Sequence, residues 1–600
     1  MQTIRLDYLQ STQAAAISKK EDCSAPAWSN VRRLFEERYP ELVGNCFQTL
    51  TIPWWAFLSA RDAFRYVLRA NGITVLELSD DARELLLKAK KRAERYAKAD
   101  ELRTSTSPAE IAAALTATGF ERKLMPYQLR NTTCMCKLPA AATFSVPGAG
   151  KTSEALAYYF LTREPTDKLL IIAPKNAFVA WEDELPKCVP TVPFSFIRLT
   201  GGQARIHEIL AQDPQAVIIS YQQLPRVLNE ITEFLVRNEA FMFIDESHRM
   251  KRGTSGVQGS SILNLSHLPK RKLILSGTPM PNSSDDLVAQ FNFLYPECAT
   301  TPNQVIDRLR SVFVRTTKSE LGLTPPVRVR QLVPMKPAQE RLYSALATDA
   351  GRHLQGLAVS DRILFRRFAK CVMYMIQAAS NPSLLLSSSI GGQDLLIEAL
   401  SEGLSAKLDY TCSLTRKWVD EGHKVVIWST FINTVEHLAG LLTDVGAHFI
   451  HGGVLTSEEP DAYDTREAKI REFNNPDSAC RVLVANPAAC SEGISLHHVC
   501  HRAIYVDRNY NAANYLQSED RIHRIGLAQD VHTYIAILCS PGTIDESVDR
   551  RLQLKVNAMR EILDDPDLSI LPLNLDTDED LDAIDSEDIE DIRRMLKVDK

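Results

Sequence analysis

Apolar residues in this 600-residue chain gather into two blocks of short runs, each run separated from the next by a segment with helical spacing. In the first block the runs are 141–146 (AATFSV), 168–174 (KLLIIAP), 216–221 (AVIISY), 240–246 (AFMFIDE) and 272–278 (KLILSGT). In the second they are 424–430 (KVVIWST), 481–487 (RVLVANP) and 502–507 (RAIYVD). Short apolar runs that alternate with helices predict parallel sheets covered by helices. The pattern therefore predicts an α/β protein with lobes over 118–295 and 405–558 and a largely helical stretch over 296–404. A small N-terminal domain over 1–110 and a tail over 559–600 complete the division. Within 1–110, Ala82, Leu86, Ala89 and Ala93 recur at helical spacing in a charged stretch, 81–103. Trp28, Trp54 and Trp55 read as packing residues rather than a binding surface, and 104–108 (TSTSP) reads as a linker.

Composition narrows the setting. Hydrophobic residues make up 45% and charged residues 24%, ordinary for a globular protein. No apolar run reaches membrane-spanning length, and the opening MQTIRLDYLQ lacks the apolar core of a secretory signal, so a cytoplasmic protein is expected. The twelve cysteines are scattered; the close pair Cys134 and Cys136 has no second pair at zinc-ligand spacing. Reduced, buried thiols are the expectation.

The net charge of −6 argues at first against a nucleic-acid partner. Its distribution reverses that. After residue 560 there are 15 acidic and 4 basic residues, a net of −11, so the preceding body carries +5. A weakly basic body with an acidic tail is compatible with phosphate binding in a local groove. The tail, 564–591, spaces apolar residues among carboxylates. It reads either as a solubilising end or as a competitor for a basic groove or docking segment for a basic partner, anchored by Ile570, Leu571, Leu573 and Leu575.

Candidate chemistry begins at Gly148-Ala149-Gly150-Lys151-Thr152, which follows a predicted strand and opens a predicted helix. Glycines there let backbone N–H groups wrap a phosphate chain at the positive end of a helix. Lys151 would neutralise the β- and γ-phosphates, and the Thr152 hydroxyl would bind Mg²⁺. Ser145 stands where the longer pattern has glycine. At Phe243-Ile244-Asp245-Glu246-Ser247-His248 an apolar strand ends in two carboxylates. Asp245 would hold Mg²⁺ and Glu246 would orient and deprotonate the attacking water.

These motifs resemble the helicase superfamily (superfamily two) whose members carry DEAD- or DEAH-type boxes; the chain has Asp-Glu-Ser-His in that place. Pro126-Tyr127-Gln128 resembles the upstream glutamine motif, which implies that Gln128 reads the adenine edge. Ala173-Pro174 with Trp181 and Glu182 resembles the next motif, implying a DNA-facing side; Ser220-Tyr221 and Ser276-Gly277-Thr278-Pro279 follow in the family's order. Gln517-Ser518-Glu519-Asp520-Arg521-Ile522-His523-Arg524-Ile525-Gly526 resembles the last motif of Swi/Snf-type ATPases nearly residue for residue. The resemblance implies Arg524 as an arginine finger on the γ-phosphate, Arg521 as its companion, and Gln517 near the phosphates. Asp507-Arg508-Asn509-Tyr510-Asn511 departs from the family's Asp-Pro-x-Trp-Asn at the proline and tryptophan. Glu492-Gly493-Ile494-Ser495-Leu496 is similar to the fifth motif, with Gly493 as a nucleotide contact and Cys490-Ser491 where the family has two glycines. Phe313 to Lys318, Leu323 to Pro326, Gln339, Tyr343, Asn381-Pro382 and Lys407-Leu408 resemble the segment between the family's lobes.

The resemblance implies two RecA-like parallel-sheet lobes in tandem, with a helical inter-lobe insertion and a small N-terminal domain. It also implies a compact prokaryotic or phage-like member, nucleoid-associated, using ATP and Mg²⁺ and moving along duplex DNA in a defence or repair setting. A strand-separating DEAH-type helicase and a DNA-binding ATPase subunit of a larger complex are the alternatives. Protein partners are expected through the N-terminal domain or the tail.

Overall fold

The computed structural model describes residues 2–46, 48–250, 256–279, 285–354, 362–388, 390, 392–455, 464–487, 494–508, 510, 512–527, 531–563 and 586–596. The chain divides into two units, Met1–Thr316 and Thr317–Lys600. The boundary between the units falls within 296–404, the stretch expected to be largely helical. Its first part belongs to the first unit and the remainder to the second, and each part adds an edge strand to its unit's sheet.

The first unit opens with a five-stranded sheet of β1 (Gln2–Leu9), β2 (Ala14–Lys19), β3 (Gly44–Cys46), β4 (Thr49–Pro53) and β5 (Ile73–Leu78), in the order β3-β4-β2-β1-β5. Trp28, Trp54 and Trp55 are buried, as their read role requires. The helix Asp80–Tyr96 starts at Ser79, whose hydroxyl accepts from Ala82 N at 3.3 Å, with Asp80 and Asp81 in its first turn. Its C-terminal half is fastened to the rest of the unit. Arg92 donates to the carbonyls of His267 and Pro269 (3.0 Å each), Arg95 to that of Lys137 (2.9 Å), and Tyr96 Oη to that of Arg308 (2.8 Å). The expected linker shrinks to a few residues, because Ser107 forms a capping box with Glu110 and starts the helix Pro108–Ala117.

The larger sheet of this unit holds β6 (Ala140–Thr143), β7 (Lys168–Ala173), β8 (Phe196–Arg198), β9 (Ala216–Ser220), β10 (Ala240–Asp245), β11 (Arg271–Leu275) and β12 (Phe313–Val314). All pairings are parallel, in the order β12-β6-β11-β10-β7-β9-β8. β6, β7 and β9 are buried at every residue, which is why they read as continuous apolar runs. The C-terminal ends of β6, β10 and β11, neighbours in the sheet, carry the three motif segments 144–152, 245–248 and 276–279. Ligands bind at such ends in open α/β sheets.

The second unit holds a six-stranded sheet of β13 (Val327–Leu332), β14 (Lys424–Trp428), β15 (Ala447–Ile450), β16 (Val482–Ala485), β17 (Cys500–Tyr505) and β18 (Tyr534–Cys539). It is also wholly parallel, in the order β13-β18-β17-β14-β16-β15. Val425, Ile427, Val482, Val484, Ile504, Ala536 and Leu538 pack on Leu408, Val435 and Leu438 in its core. Asp507, just beyond β17, is buried and accepts from Ser380 Oγ (3.1 Å), Ser429 Oγ (2.6 Å) and Thr430 N (2.7 Å). A buried carboxylate so supplied needs no counter-ion.

Part of the acidic tail is packed: its helix Ser586–Met595 docks on the helix Ile544–Leu563. Asp588, fully buried, meets Arg551 and Lys555 (2.8 Å), and Asp591 accepts from Ser547 Oγ at 2.8 Å. Ile570, Leu571, Leu573 and Leu575 lie outside the described residues. Among the described residues no helix is long and apolar enough to cross a membrane, and none of the cysteines is in a disulfide.

Candidate functional site

β6 runs directly into the glycine loop. Gly148 (φ 88°) and Gly150 (φ 79°) take left-handed backbone, and Gly150 caps the helix Lys151–Thr162. The left-handed backbone at Gly150 favours glycine, and a Cβ there would also displace the Gln128 amide from the loop. Lys151 Nζ donates to Ser145 O at 2.8 Å, and Thr152 is half-buried beside it. Gln128 is spent on the loop: its Oε1 accepts from Met125 N and its Nε2 donates to Ala149 O, both at 2.9 Å. In this structure it holds the loop's shape.

Ser145, the departure from the longer pattern, has a structural use. Its hydroxyl accepts from Thr316 N (3.1 Å) and lies 3.2 Å from Thr143 Oγ1. Asn131 Nδ2 reaches Thr316 Oγ1 (2.9 Å) and Glu154 Oε1 (3.0 Å). Burial pushes the Glu154 carboxyl up to about 7, although Asn131 and Thr143 pull it back.

Asp245 ends β10. Trp181 Nε1 donates to its Oδ2 at 2.9 Å, Glu246 N to its Oδ1 at 2.9 Å, and Tyr221 Oη to its carbonyl at 2.6 Å. The motif that resembles the family's DNA-facing one thus has two different surroundings. Trp181 is fully buried against Asp245, and Glu182 pairs with Arg198 at 2.6 Å. Glu246 has φ 52°, a left-handed conformation that a non-glycine residue adopts at a cost of order 1–3 kcal/mol. His248 Nδ1 stands 3.2 Å from both Glu246 Oε2 and Ser276 Oγ. Burial, then the Glu246 charge, raises Asp245 above the usual carboxylate range. Burial acts on Glu246 in the same sense, but His248, Lys151 and Arg249 outweigh it and hold that carboxyl low. Of the two, Glu246 is the one held towards the charged form.

A second link runs beneath. Ser247 Oγ donates to Gln290 Oε1 (2.7 Å), and Gln290 Nε2 donates to Pro279 O (2.6 Å), tying the strand ends of β10 and β11. Gln290 and Asn131 carry no motif of their own, and sequence reasoning passed over them.

In the second unit, the helix Ala512–Glu519 leads into the arginine loop. Arg521 is buried; its Nε donates to Gln517 O and its Nη1 to Ile494 O, each at 3.0 Å. Its guanidinium grips the preceding loop instead of being presented outward. Gln517 is buried on the same helix. The Arg524 guanidinium donates from Nη1 to Ser495 Oγ at 2.9 Å. Burial lowers its pKa, against the pull of Asp520. Gly493 lies outside the described residues, as do Glu492, Cys490 and Ser491.

One unit joins a phosphate-type loop and a paired carboxylate to a parallel sheet, and the other joins a buried arginine loop to a second parallel sheet. Residues 127–307 match the SNF2-related domain and residues 406–526 the helicase conserved C-terminal domain. Among curated relatives, the chain is 24% identical over 463 residues to a probable ATP-dependent DNA helicase, CHR23, of Arabidopsis thaliana, covering 69% of this chain and 40% of that protein. It is 26% identical over 437 residues to the ISWI chromatin-remodeling complex ATPase ISW2 of Saccharomyces cerevisiae, covering 68% and 38%. The chain thus spans about two fifths of the length of these relatives. A solved SWI2/SNF2 ATPase core from Sulfolobus solfataricus in complex with dsDNA is similar at 20% identity, with 80% of this chain and 98% of that chain covered and a TM-score of 0.32. The chain thus contains an SNF2-related domain followed by a helicase conserved C-terminal domain.

Proposed function

We propose that this chain is a DNA-dependent ATPase that moves along duplex DNA and remodels protein–DNA complexes or DNA structures. The observation that carries the reading is the paired carboxylate at the end of β10, where Glu246, in a left-handed conformation, donates its N–H to Asp245 and has its own carboxylate 3.2 Å from His248.

The donors suit a hard divalent cation: Asp245 and Thr152 offer oxygen ligands, the chemistry Mg²⁺ selects. When bound, the ion would neutralise charge on the β- and γ-phosphates. Lys151 and the N–H groups at the start of its helix bind the phosphates; Gln128, which keeps the loop in shape, reads the adenine edge. Glu246 accepts the proton of the attacking water, and His248 holds the carboxylate ready and joins it to Ser276. Arg524 supplies the positive charge that the transition state needs, while Arg521 and Gln517 hold the loop that presents it. Gly493 would contact the nucleotide. DNA is bound mainly through its backbone, supported by the +5 body and by the DNA helicase and remodelling names of the relatives.

ATPase activity measured with no nucleic acid, single strand, duplex and RNA in parallel tests the reading. Duplex should stimulate most, and the protein should displace a triplex strand from an intact duplex. Strand displacement without triplex displacement would favour the strand-separating alternative; equal rates in all four conditions would defeat the DNA dependence.

A further inference from the structure

Thr316 and Lys318 are two residues apart, and each is bonded into the motif machinery of its own unit. Thr316 is fully buried at the base of the glycine loop. Its carbonyl accepts from Val146 N (3.1 Å), its N–H donates to Ser145 Oγ (3.1 Å), and its hydroxyl accepts from Asn131 (2.9 Å). Ser145 O is also the partner of the Lys151 ammonium. Lys318, in the second unit, places Nζ 2.6 Å from Asp520 Oδ1 and 3.5 Å from Glu519 Oε1. Arg328 grips Glu519 from β13 with two bonds, 2.9 and 2.6 Å, and Tyr515 Oη adds a third at 2.8 Å. His523 Nε2 lies 2.8 Å from Thr324 O. Burial alone would raise the Glu519 carboxyl, but Arg328 and Lys318 hold it at about 2.

The same connecting segment therefore begins as β12, hydrogen-bonded to the strand that feeds the glycine loop, and ends as β13, hydrogen-bonded to the strand that follows the arginine loop. Between Thr316 and Lys318 an extended chain spans at most about 7 Å. Such a tie has almost no slack. Glu519 and Asp520 directly precede Arg521 and Arg524, so whatever moves Lys318 pulls on the turn that carries Arg524.

We propose that Thr316-Thr317-Lys318 is a coupling strap, with Thr316, Lys318 and Arg328 as positioning residues that link the state of the glycine loop to the placement of Arg524. The proposal rests on the ATPase reading above. It assigns the segment a mechanical role: its shortness, and not only its ion pairs, sets the rate.

Inserting Gly-Ser between Thr317 and Lys318 of the full chain lengthens the tie while leaving every named bond able to form. Affinity for a fluorescent ATP analogue and the KM for ATP should stay within about twofold of the parent. The duplex-stimulated kcat should fall about 10²-fold, the scale on which misplacing a catalytic group by an ångström acts. Lys318→Met should show the same split, and Lys318→Arg, which keeps the charge and reach, should recover most of the rate. This pair carries the test if the insertion does not fold. Parental kcat in the insertion variant, loss of analogue binding in it, or equal losses in Lys318→Met and Lys318→Arg would each overturn the strap. A parent with no ATPase activity would remove the ATPase reading and the strap together, which distinguishes that failure from a failure of the strap alone.

Discussion

The indole N–H of Trp181 donates to Asp245 Oδ2 at 2.9 Å, joining residues 64 positions apart in sequence. It fixes the rotation of a carboxylate whose other oxygen is already taken by Glu246 N. Partners of this sort orient a metal ligand without touching the metal.

Trp181→Phe should therefore act on the cation more than on the nucleotide. The Mg²⁺ concentration for half-maximal ATPase should rise about 10–100-fold, with a smaller change in affinity for an ATP analogue. An unchanged Mg²⁺ titration would show that Asp245 does not depend on the indole.

The carboxylate pair predicts a separation of binding from chemistry. Lys151→Ala should weaken or abolish nucleotide use. Glu246→Gln should bind ATP yet hydrolyse it about 10²–10⁴-fold more slowly, the usual loss for a positioned base. Parental turnover by Glu246→Gln would remove that residue from the role.

The two arginines of the loop should differ. Arg524→Ala should leave nucleotide affinity nearly unchanged and lower stimulated turnover by about 10³–10⁵, as for other fingers. Arg521→Ala should instead lower thermal stability, since Arg521 holds the Ile494 and Gln517 carbonyls from a buried position. Equal turnover losses with equal stability in both would merge roles that the geometry separates.

A pH dependence follows from His267. Burial, then the charges of Arg92 and Lys272, depress its pKa well below the ordinary value, and its Nε2 lies 2.8 Å from Tyr8 Oη. The folded protein favours the neutral ring, so the unfolded chain binds the extra proton as pH falls below about 6.5. Stability is then fully present above that pH and is lost below it, by about 1.4 kcal/mol per pH unit for one proton. Denaturant melts between pH 7.5 and 5 should show this slope, and His267→Gln should flatten it.

How much of this was legible in the sequence depends on contiguity. β6, β7, β9, β10 and β11 announced themselves because strands covered on both faces are uninterrupted apolar runs. β12 has two residues and β8 three, too few for any periodicity. β13, VRVRQL, is an edge strand in which arginines and a glutamine interrupt the apolar residues, so it forms no continuous apolar run. The site divides in the same way. Glycine loop, carboxylate pair and arginine loop are local strings whose chemistry is carried by neighbours in sequence. Trp181 with Asp245, Gln290 with Ser247 and Asn131 with Thr316 meet only through the fold, over 64, 43 and 185 residues. The division of 296–404 between units was hidden for the same reason, since an edge strand belongs to whichever sheet supplies its partner.

The docked end of the tail bears on DNA binding. Asp588 contacts Arg551 and Lys555 from a buried position, so the helix Ser586–Met595 neutralises basic residues of the helix Ile544–Leu563. The intervening residues 564–585 contain nine acidic and no basic side chains. A tethered segment competes at an effective concentration near the millimolar range for short flexible tethers, so even weak attraction to a basic surface matters. Truncation after Leu563 removes both the helix and this charge. Thermal stability should fall, because taking one partner from a buried pair costs about 3–5 kcal/mol. Duplex affinity at low salt should rise all the same, and the gain should shrink towards nothing near 1 M salt, where charges are screened within about 3 Å. Double Asp588→Asn and Asp591→Asn substitution separates the two effects, since it undocks the helix while most of the acidic segment remains; its affinity should lie between the parent and the truncation. Equal affinity for parent and truncation at low salt would end the competition idea and leave the helix as a stabilising cover for Arg551 and Lys555.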